Sequence, residues 1–168
     1  MRNTRPGKII DLPALMPIRD GYRRAGRTVV WTNGCYDLVH AGHVRSLQAA
    51  AELGDVLIVG LNSDESIRGF KGTSRPILPA ADRAELLAAF ACVDHVVVFA
   101  ERTPASILDF LRPEIHCKGA DYAPPNGKPI PEQAIVEAYG GRVVFLPLIP
   151  GISTSELIRR IAASGEGG

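Results

Sequence analysis

The chain has few cysteines, no long apolar stretch and no excess of charge of either sign. Its three cysteines, Cys35, Cys92 and Cys117, form no Cys-x-x-Cys pair and cannot all pair with one another, so we expect reduced thiols. The longest apolar stretches, such as Val56–Leu61 and Val96–Ala100, are far shorter than a membrane span. The formal net charge of +1 gives no bulk attraction for DNA or an anionic membrane, so neither partner is expected.

Two common nucleotide-binding motifs are also absent. No G-x-x-x-x-G-K-[ST] sequence occurs, which excludes a P-loop protein. No G-x-G-x-x-G follows the first apolar run, so the glycine pattern of a dinucleotide-binding Rossmann fold is missing. The segment Met1–Lys8 has no apolar core, so we expect no signal peptide and a cytoplasmic location. The carboxylates Glu101, Asp109 and Glu114 are scattered and indicate no acid–base pair.

Short, almost continuously apolar runs alternate with longer helix-like stretches along the 168 residues. Such runs are typical of a parallel sheet that is covered on both faces. The predicted strands are Thr28–Thr32, Val56–Asn62, His95–Phe99, Ile115–Lys118 and Arg142–Leu146. The predicted helices are Leu12–Ala25, Gly42–Leu53, Ala80–Ala91, Pro104–Leu111, Glu132–Tyr139 and Ser155–Ala163. We therefore predict an α/β fold, a doubly wound, Rossmann-like parallel sheet of five strands with helices on both faces.

In a doubly wound sheet, ligands bind beyond the carboxyl ends of the strands. The segments that follow the predicted strands are therefore the candidate site: Asn33–His43, Ser63–Pro79, Gly119–Pro131 and Pro147–Ser155. The third of these is rich in proline and glycine and is expected to be a mobile loop. The tail, Ser164–Gly168, is expected to be disordered.

His40 and His43 follow the first predicted strand, flank Gly42 and open a helix. A helix N-terminus carries unpaired N–H groups and a partial positive charge, and glycine lets a ligand approach the backbone closely. This pattern predicts a phosphate site, although a helix cap and an exposed histidine would also fit. A zinc site is not favoured, because no third ligand has matching spacing.

Further candidates lie in the other segments after the strands. Lys71 and Arg75 could clamp a phosphate or form a solvated basic loop. Arg83 opposes the dipole of its predicted helix, which indicates an external anion. Lys118 ends a strand, and Ser153–Glu156 fits a capping box that leaves other N–H groups available to phosphate.

The run from Thr32 to His43 resembles the nucleotidyltransferase superfamily with a His-x-Gly-His motif. Its residues are most similar to those of the adenylyltransferase domain of the ADP-heptose synthases. Lys71–Pro76 is similar to the Lys-Gly-x-x-Arg-Pro segment of that branch. Lys118–Tyr122 is similar to its Lys-Gly-Gly-Asp-Tyr segment, with Ala120 in place of a glycine. Ile152–Ser155 matches the superfamily's Ile-Ser-Thr-Thr/Ser motif.

The resemblance implies a set of site residues. Those expected to be catalytic are His40, His43 and Lys118. Those expected to bind nucleotide are Asn33, Gly34, Cys35, Tyr36, Asp37, His40, Gly42, His43, Lys118, Asp121, Ser153, Thr154 and Ser155. Those expected to bind the second substrate are Asn62, Lys71, Arg75 and Arg83. No protein-held metal is expected.

The resemblance also implies an activity and a division of the chain. The expected reaction moves AMP from ATP to D-glycero-D-manno-heptose 1-phosphate, with Mg²⁺ on the phosphates. The expected nucleotidyltransferase domain is 28–163, preceded by a segment, 1–27, whose helix packs on it. Because no sugar-kinase sequence is fused to this one, a separate kinase is expected to supply the sugar phosphate. A homodimer is also expected.

Two other functions fit parts of the pattern. A cytidylyltransferase acting on glycerol 3-phosphate would share most motifs, but Leu148–Pro150 stands where those enzymes commonly have an arginine. A nucleotide sensor without turnover would not need the intact set of His40, His43, Lys118 and Ser153–Ser155.

Overall fold

The computed structural model describes residues 7–165. Its centre is a five-stranded, wholly parallel sheet in the order β3-β2-β1-β4-β5. The strands are β1 (Val29–Gly34), β2 (Val56–Asn62), β3 (His95–Phe99), β4 (Ile115–Gly119) and β5 (Arg142–Leu146). The chain moves outward from β1 to β3 and then returns to the other side of β1. The predicted doubly wound sheet is confirmed, and its switch point lies between β1 and β4.

Seven helices lie before, between or after the strands within the described residues. They are α1 (Leu12–Arg24), α2 (Ala41–Ala51), α3 (Asp64–Lys71), α4 (Ala80–Ala89), α5 (Ala105–Leu111), α6 (Gln133–Ala138) and α7 (Thr154–Gly165). A short 3₁₀ helix, Ala120–Tyr122, follows β4 within the segment that we expected to be a mobile loop. No helix in residues 7–165 is long and apolar enough to cross a membrane.

Side chains alternate across the sheet and build a separate core on each face. On one face, Leu47 of α2 and Leu87 of α4 pack against β2 side chains such as Val59. On the other face, Leu15 of α1 and Leu108 of α5 pack around Trp31 and its neighbours. Because both faces are covered, the strands are almost continuously apolar, as the sequence predicted.

Helix α3 is the element that the sequence analysis missed. We expected 63–79 to be a loop, but Ser63 caps a helix there, and its Oγ accepts a hydrogen bond from Ser66 N at 3.1 Å. Asp64 and Glu65 lie in its first turn, where acidic side chains favour the helix dipole. Gly72 ends the helix with a φ of 91°, a backbone conformation that residues with a Cβ rarely adopt. Lys71 is therefore the last residue of a helix.

The structure describes parts of both the N-terminal and the C-terminal segment. Helix α7 runs on through Ser164 and Gly165, which we expected to belong to a disordered tail, while residues 166–168 lie outside the described residues. Helix α1 packs on the sheet through Leu15, and Ile9 forms a parallel bridge with Val96 at the edge of β3. The first six residues of the expected N-terminal segment also lie outside the described residues.

Gly60 makes room for Trp31, and we expect Gly60→Ala to destabilise the protein. A Cβ at this position in β2 would overlap Trp31 Cζ2 and lie 3.0 Å from Asn33 Cβ. Overpacking of a rigid core costs about 1–3 kcal/mol. Urea unfolding should show this loss, whereas Gly69→Ala on the open face of α3 should be neutral or stabilising by about 0.5–1 kcal/mol. An unchanged free energy of unfolding for Gly60→Ala would contradict the tight contact with Trp31.

Candidate active site

A cleft opens beyond the carboxyl ends of β1 and β4, at the switch point of the sheet. It consists of two adjoining cavities of about 510 and 400 Å³ that share the lining residues His43, Ser46 and Lys71. The first cavity lies over the ends of the strands and contains Lys118. The second lies between the starts of α2 and α7. The sheet therefore brings together motifs that are far apart in the sequence.

His40 caps helix α2 with its own ring. Its Nδ1 accepts a hydrogen bond from Gly42 N at 3.1 Å, so the neutral ring carries its proton on Nε2. A Cβ on Gly42 would lie only 2.8 Å from the ring, and glycine is therefore needed for this folded-back position. Burial lowers the pKa of His40, which favours the neutral, capping form.

His43 lies directly beside His40 in the first turn of α2. The two rings stack with their centroids 3.9 Å apart, and the centroid of the tilted Tyr36 ring lies 5.2 Å from that of His43. Burial lowers the pKa of His43 to about 4, and the nearby His40 and Lys71 act in the same direction. The pair is therefore neutral at pH 7, and both rings can donate or accept hydrogen bonds without carrying charge.

The start of α2 has fewer free amides than we expected. The N–H groups of His43 and Val44 bond to His40 O, and that of Gly42 bonds to the His40 ring. The phosphate-binding capacity at this end therefore rests on the imidazoles and the helix dipole rather than on free N–H groups.

The start of α7 faces the histidines across the second cavity. Ser153, Thr154 and Ser155 line that cavity together with His40, Gly42 and His43. Ser153 Oγ caps the helix by accepting from Glu156 N at 3.1 Å. The N–H groups of Thr154 and Ser155 belong to the first turn, where a helix supplies no partners. These two amides can therefore bind an anion.

Two lysines supply positive charge to the cleft. Lys71 is exposed at the end of α3 and lines both cavities. Lys118 lines the first cavity at the end of β4, where its Nζ lies 2.6 Å from a carboxylate oxygen of Glu132. Burial would raise the pKa of Glu132, but His116 and Lys118 outweigh it and lower the pKa to about 2. This carboxylate is therefore ionised and paired.

The end of β1 and the turn after it line the first cavity with the backbone that we expected to contact nucleotide. Asn33, Gly34, Cys35 and Tyr36 all contribute to the wall. Tyr36 is buried with φ 48°, and Leu38 has φ 50°. Two bulky residues in left-handed conformations indicate a turn whose shape is imposed by its surroundings, a feature that often accompanies functional sites.

Asp37 and Arg75 bond to each other instead of lining the cleft. Arg75 Nε lies 2.8 Å from Asp37 Oδ2, and the N–H groups of Ile77 and Leu78 also bond to this carboxylate. Burial would raise the pKa of Asp37, but these bonds outweigh it and lower the pKa. We expected Arg75 to bind substrate and Asp37 to bind nucleotide; in this geometry both fix the walls of the site.

Arg83 and Asn62 also have internal partners. The Arg83 guanidinium is fully buried and bonds to Cys35 O, Asn62 O and the Asp64 carboxylate at 2.6–3.0 Å. Its positive charge is thus satisfied by the protein rather than by the external anion that we expected. Asn62 lines the first cavity, but its Nδ2 donates to Ser66 Oγ and Glu101 O.

Asp121 lies outside the lining of both cavities. Its Oδ2 pairs with Lys128 Nζ at 2.6 Å, and Lys128 also lies over the Tyr122 ring. These contacts brace the segment after β4, which we expected to place Asp121 against the nucleotide. Tyr122, by contrast, does line the first cavity.

A larger cavity, of about 720 Å³, lies elsewhere on the molecule. It is lined by residues such as Arg19, Pro113 and Gly141, which precede or pack near the amino ends of β4 and β5. It therefore lies at the opposite end of the strands from the cleft, and none of the motif residues line it. Within residues 7–165, no group of three or more His, Cys, Asp or Glu side chains could hold a metal ion.

The sequence profile described as cytidylyltransferase-like matches residues 31–160, well over half of the chain. The match begins in β1, ends in α7 and includes both histidines of the cleft. The chain belongs to the cytidylyltransferase-like family. The predicted superfamily and the nucleotidyltransferase class of enzyme are thereby confirmed.

Curated relatives of this cytidylyltransferase-like chain carry the name bifunctional protein HldE. That of Syntrophotalea carbinolica is 51% identical over 148 residues, and that of Trichlorobacter lovleyi is 46% identical over 154 residues. The alignments cover 88% and 92% of this chain but 30% and 31% of the relatives. The chain thus spans about a third of the length of the curated relatives it matches.

Solved structures agree with the fold of this family. The lipopolysaccharide core biosynthesis protein of Thermoplasma volcanium superposes with a TM-score of 0.59 and 24% identity, covering 74% of this chain and 98% of that one. The pantoate–beta-alanine ligase of Francisella tularensis superposes with a TM-score of 0.60 and 13% identity, covering 95% of this chain and 77% of that one. At these identities the likeness supports the fold alone.

Several residues of the cleft were absent from the sequence-based set, and three of them are polar or charged side chains of particular interest. Ser46, Arg102 and Glu132 line the first cavity. Ser46 follows His43 by nearly one helical turn, so helical spacing could have placed it on the same face. Arg102 and Glu132 lie in separate connections, and no local pattern distinguishes them from surface charges.

Lowering the pH should destabilise this cytidylyltransferase-like protein in part through His43. Its folded-state pKa of about 4 lies below the ordinary value of about 6.5, so the unfolded chain binds the proton more readily between these values. His43 contributes stability that is present above about pH 6.5 and is lost as the pH falls toward 4. The effect reaches at most about 3 kcal/mol. Urea unfolding of the wild type and His43→Gln across this range measures it.

We expect the free energy of unfolding of the wild type to fall more steeply with decreasing pH than that of His43→Gln. The comparison isolates His43 because His95 and His116, whose pKa values are also lowered by burial, are present in both proteins. Equal slopes would contradict a buried, neutral His43.

Proposed function

We propose that the protein transfers the AMP group of ATP to D-glycero-D-manno-heptose 1-phosphate and forms ADP-heptose and pyrophosphate. The observation that carries this proposal is the cleft in which the stacked His40 and His43 rings face the free amides of α7. Lysines on either side complete a site suited to a triphosphate. Imidazoles, helix amides and ammonium groups are the donors that bind such an anion.

The proposed chemistry fits a cleft without a free carboxylate. The acceptor oxygen belongs to a sugar phosphate that is already anionic at pH 7, so it needs no general base. The only carboxylate lining the two described cavities is that of Glu132, and it is paired with Lys118. The task is to bring two anions together and to stabilise the charge that develops on the leaving group.

The step is an in-line displacement at the α-phosphorus. A bond forms between an acceptor phosphate oxygen and the α-phosphorus, while the bond from that phosphorus to the oxygen bridging the α- and β-phosphorus atoms breaks, and pyrophosphate leaves with its electron pair. His40 donates from Nε2 to a phosphate oxygen, since its Nδ1 is engaged by Gly42. His43 acts beside it. Thr154 and Ser155 bind the outer phosphates through their N–H groups.

The two lysines neutralise different parts of the phosphate charge. Lys118, at the end of β4, neutralises the α-phosphate region, and Lys71, which lines both cavities, bridges the acceptor and the triphosphate. Both are ammonium groups, which act on phosphate as point charges without a fixed geometry. The acceptor then lies on the β2 side of the cleft, near Asn62 and Arg102.

Mg²⁺ fits this site as a companion of ATP rather than as a metal held by the protein. The described residues contain no cluster of metal ligands, and Glu132 already has a cationic partner. Mg²⁺ favours phosphate oxygens and water, and it supplies neutralisation of phosphate charge when bound. Ser153–Ser155 and Lys71 would hold the phosphates that carry it.

The choice of ATP and heptose phosphate rests on sequence. The motifs from Thr32 to His43 and from Lys118 to Tyr122 resemble the ADP-heptose synthases, and the curated relatives share up to 51% identity with this chain. A cytoplasmic location, which the expected reduced thiols favour, and a homodimer, which follows from the resemblance alone, are part of the same proposal.

Pyrophosphate release should select the substrates directly. We expect turnover with ATP and a heptose 1-phosphate, and little with CTP or with glycerol 3-phosphate as the acceptor. A panel of both nucleotides against several sugar 1-phosphates and glycerol 3-phosphate measures this preference. Faster turnover with CTP and glycerol 3-phosphate would identify a cytidylyltransferase, and binding of ATP without turnover with any acceptor would identify a sensor.

His40→Ala and His43→Ala should each lower kcat by about 10²–10⁴, because each removes about 3–5 kcal/mol of transition-state stabilisation. His95→Ala is the matched control, since His95 lies at the amino end of β3 and contacts Tyr22 instead of the cleft. Steady-state kinetics on variants with intact thermal unfolding test this. A folded His40→Ala or His43→Ala enzyme with wild-type kcat would refute the assigned role.

A further inference from the structure

Glu132 is a buried carboxylate in the wall of a cleft that is otherwise suited to anions. Only 1% of the residue is exposed, yet it lines the first cavity. Its Oε1 lies 2.6 Å from Lys118 Nζ and 3.6 Å from His116 Nε2. The longer distance exceeds a hydrogen bond, and burial lowers the pKa of His116 and keeps its ring neutral. Lys118 is thus the charged partner of Glu132.

The backbone fixes both ends of this pair. Lys118 and His116 lie two residues apart on β4, so their side chains leave the same face of the strand. Glu132 directly precedes α6, and its carbonyl accepts a hydrogen bond from Val136 N. The carboxylate therefore reaches Lys118 from a helix start that is anchored in the second core, where Val136 is fully buried.

A buried carboxylate next to a bound polyanion is unfavourable unless it has a specific partner. Lysine has a flexible side chain with many rotamers, and an unpaired Lys118 would sample many positions. The pair removes that freedom before the substrates arrive. The side chain of Lys118 is 13% exposed and lines the first cavity, so its ammonium can reach a ligand in the cleft while the carboxylate holds it.

We propose that Glu132 is a positioning residue that holds the Lys118 ammonium in the geometry required for phosphate contact. This inference rests on the proposed function, because the contribution of Lys118 to turnover is part of that proposal. Glu132 does not touch the reacting atoms and acts through Lys118 alone.

The kinetic test is a double-mutant cycle of Glu132→Gln and Lys118→Met. Glu132→Gln keeps the shape of the side chain and removes its charge, and we expect it to lower kcat by about 10- to 100-fold. In the Lys118→Met background the same change should alter kcat by less than about twofold, because the group through which Glu132 acts is gone. Glu137→Gln, an exposed change within α6, is the matched control and should leave kcat unchanged.

A second readout needs no substrate. The rates at which an amine-acetylating reagent modifies Lys118 and Lys71 can be compared by peptide mass spectrometry in wild type and Glu132→Gln. An ammonium bonded to a carboxylate must leave its partner and lose a proton before it reacts. We expect Lys118 to react several-fold faster in Glu132→Gln, relative to Lys71 in the same molecule. Glu132→Asp, which keeps the charge, serves both tests if the glutamine variant does not fold.

The kinetic and labelling results together decide whether Glu132 acts through Lys118. Loss of kcat only when Lys118 is present, together with faster labelling of Lys118, supports the proposal. Equal losses in both backgrounds, or unchanged labelling, would overturn it. If the wild type turns over no substrate of the panel, the proposed function fails, and the labelling still decides whether Glu132 holds Lys118.

Discussion

Asp37 connects the three segments that form the cleft. Its buried carboxylate accepts hydrogen bonds from the Arg75 side chain and from two N–H groups just beyond it. Its carbonyl accepts one from the Thr154 hydroxyl at 2.8 Å. The turn that leads to His40, the chain beyond Lys71 and the start of α7 are therefore fixed to one another. Because only 1% of the Asp37 side chain and 13% of the Arg75 side chain are exposed, loss of the carboxylate would leave a largely buried guanidinium without its ionic partner, at substantial cost.

The electrostatics of the cleft follow from that arrangement. The chain as a whole has a net charge of +1, so attraction for phosphate has to be local. In the proposed function Lys71, Lys118 and the start of α7 provide it, while Arg75 and Arg83 are paired within the walls. The neutral, stacked histidines add directional hydrogen bonding without further charge. In the proposed function, phosphoryl transfer relies on position and field rather than on proton abstraction.

Much of the fold and part of the site could be predicted from local patterns. The five strands were visible because their apolar runs are continuous, and the cleft was located because a doubly wound sheet places its ligands at the switch point. Helix α3 escaped notice because it has only eight residues and few of them are apolar, so it was not distinguished from a loop. Arg83 was expected to meet an external anion, because its own sequence neighbourhood does not include Cys35 O or Asn62 O, which accept hydrogen bonds from its buried guanidinium.

The sequence by itself determined the five strands, most of the helices, the pair of histidines at a helix start and the family to which the chain belongs. These features depend on neighbours along the chain, where periodicity, capping and motif spacing act. Only the tertiary structure decided which charged groups are free. Arginines that looked available are paired inside the walls, and Glu132 meets Lys118 from a distant helix start. Ion pairing and burial depend on contacts between remote segments, which no local pattern encodes.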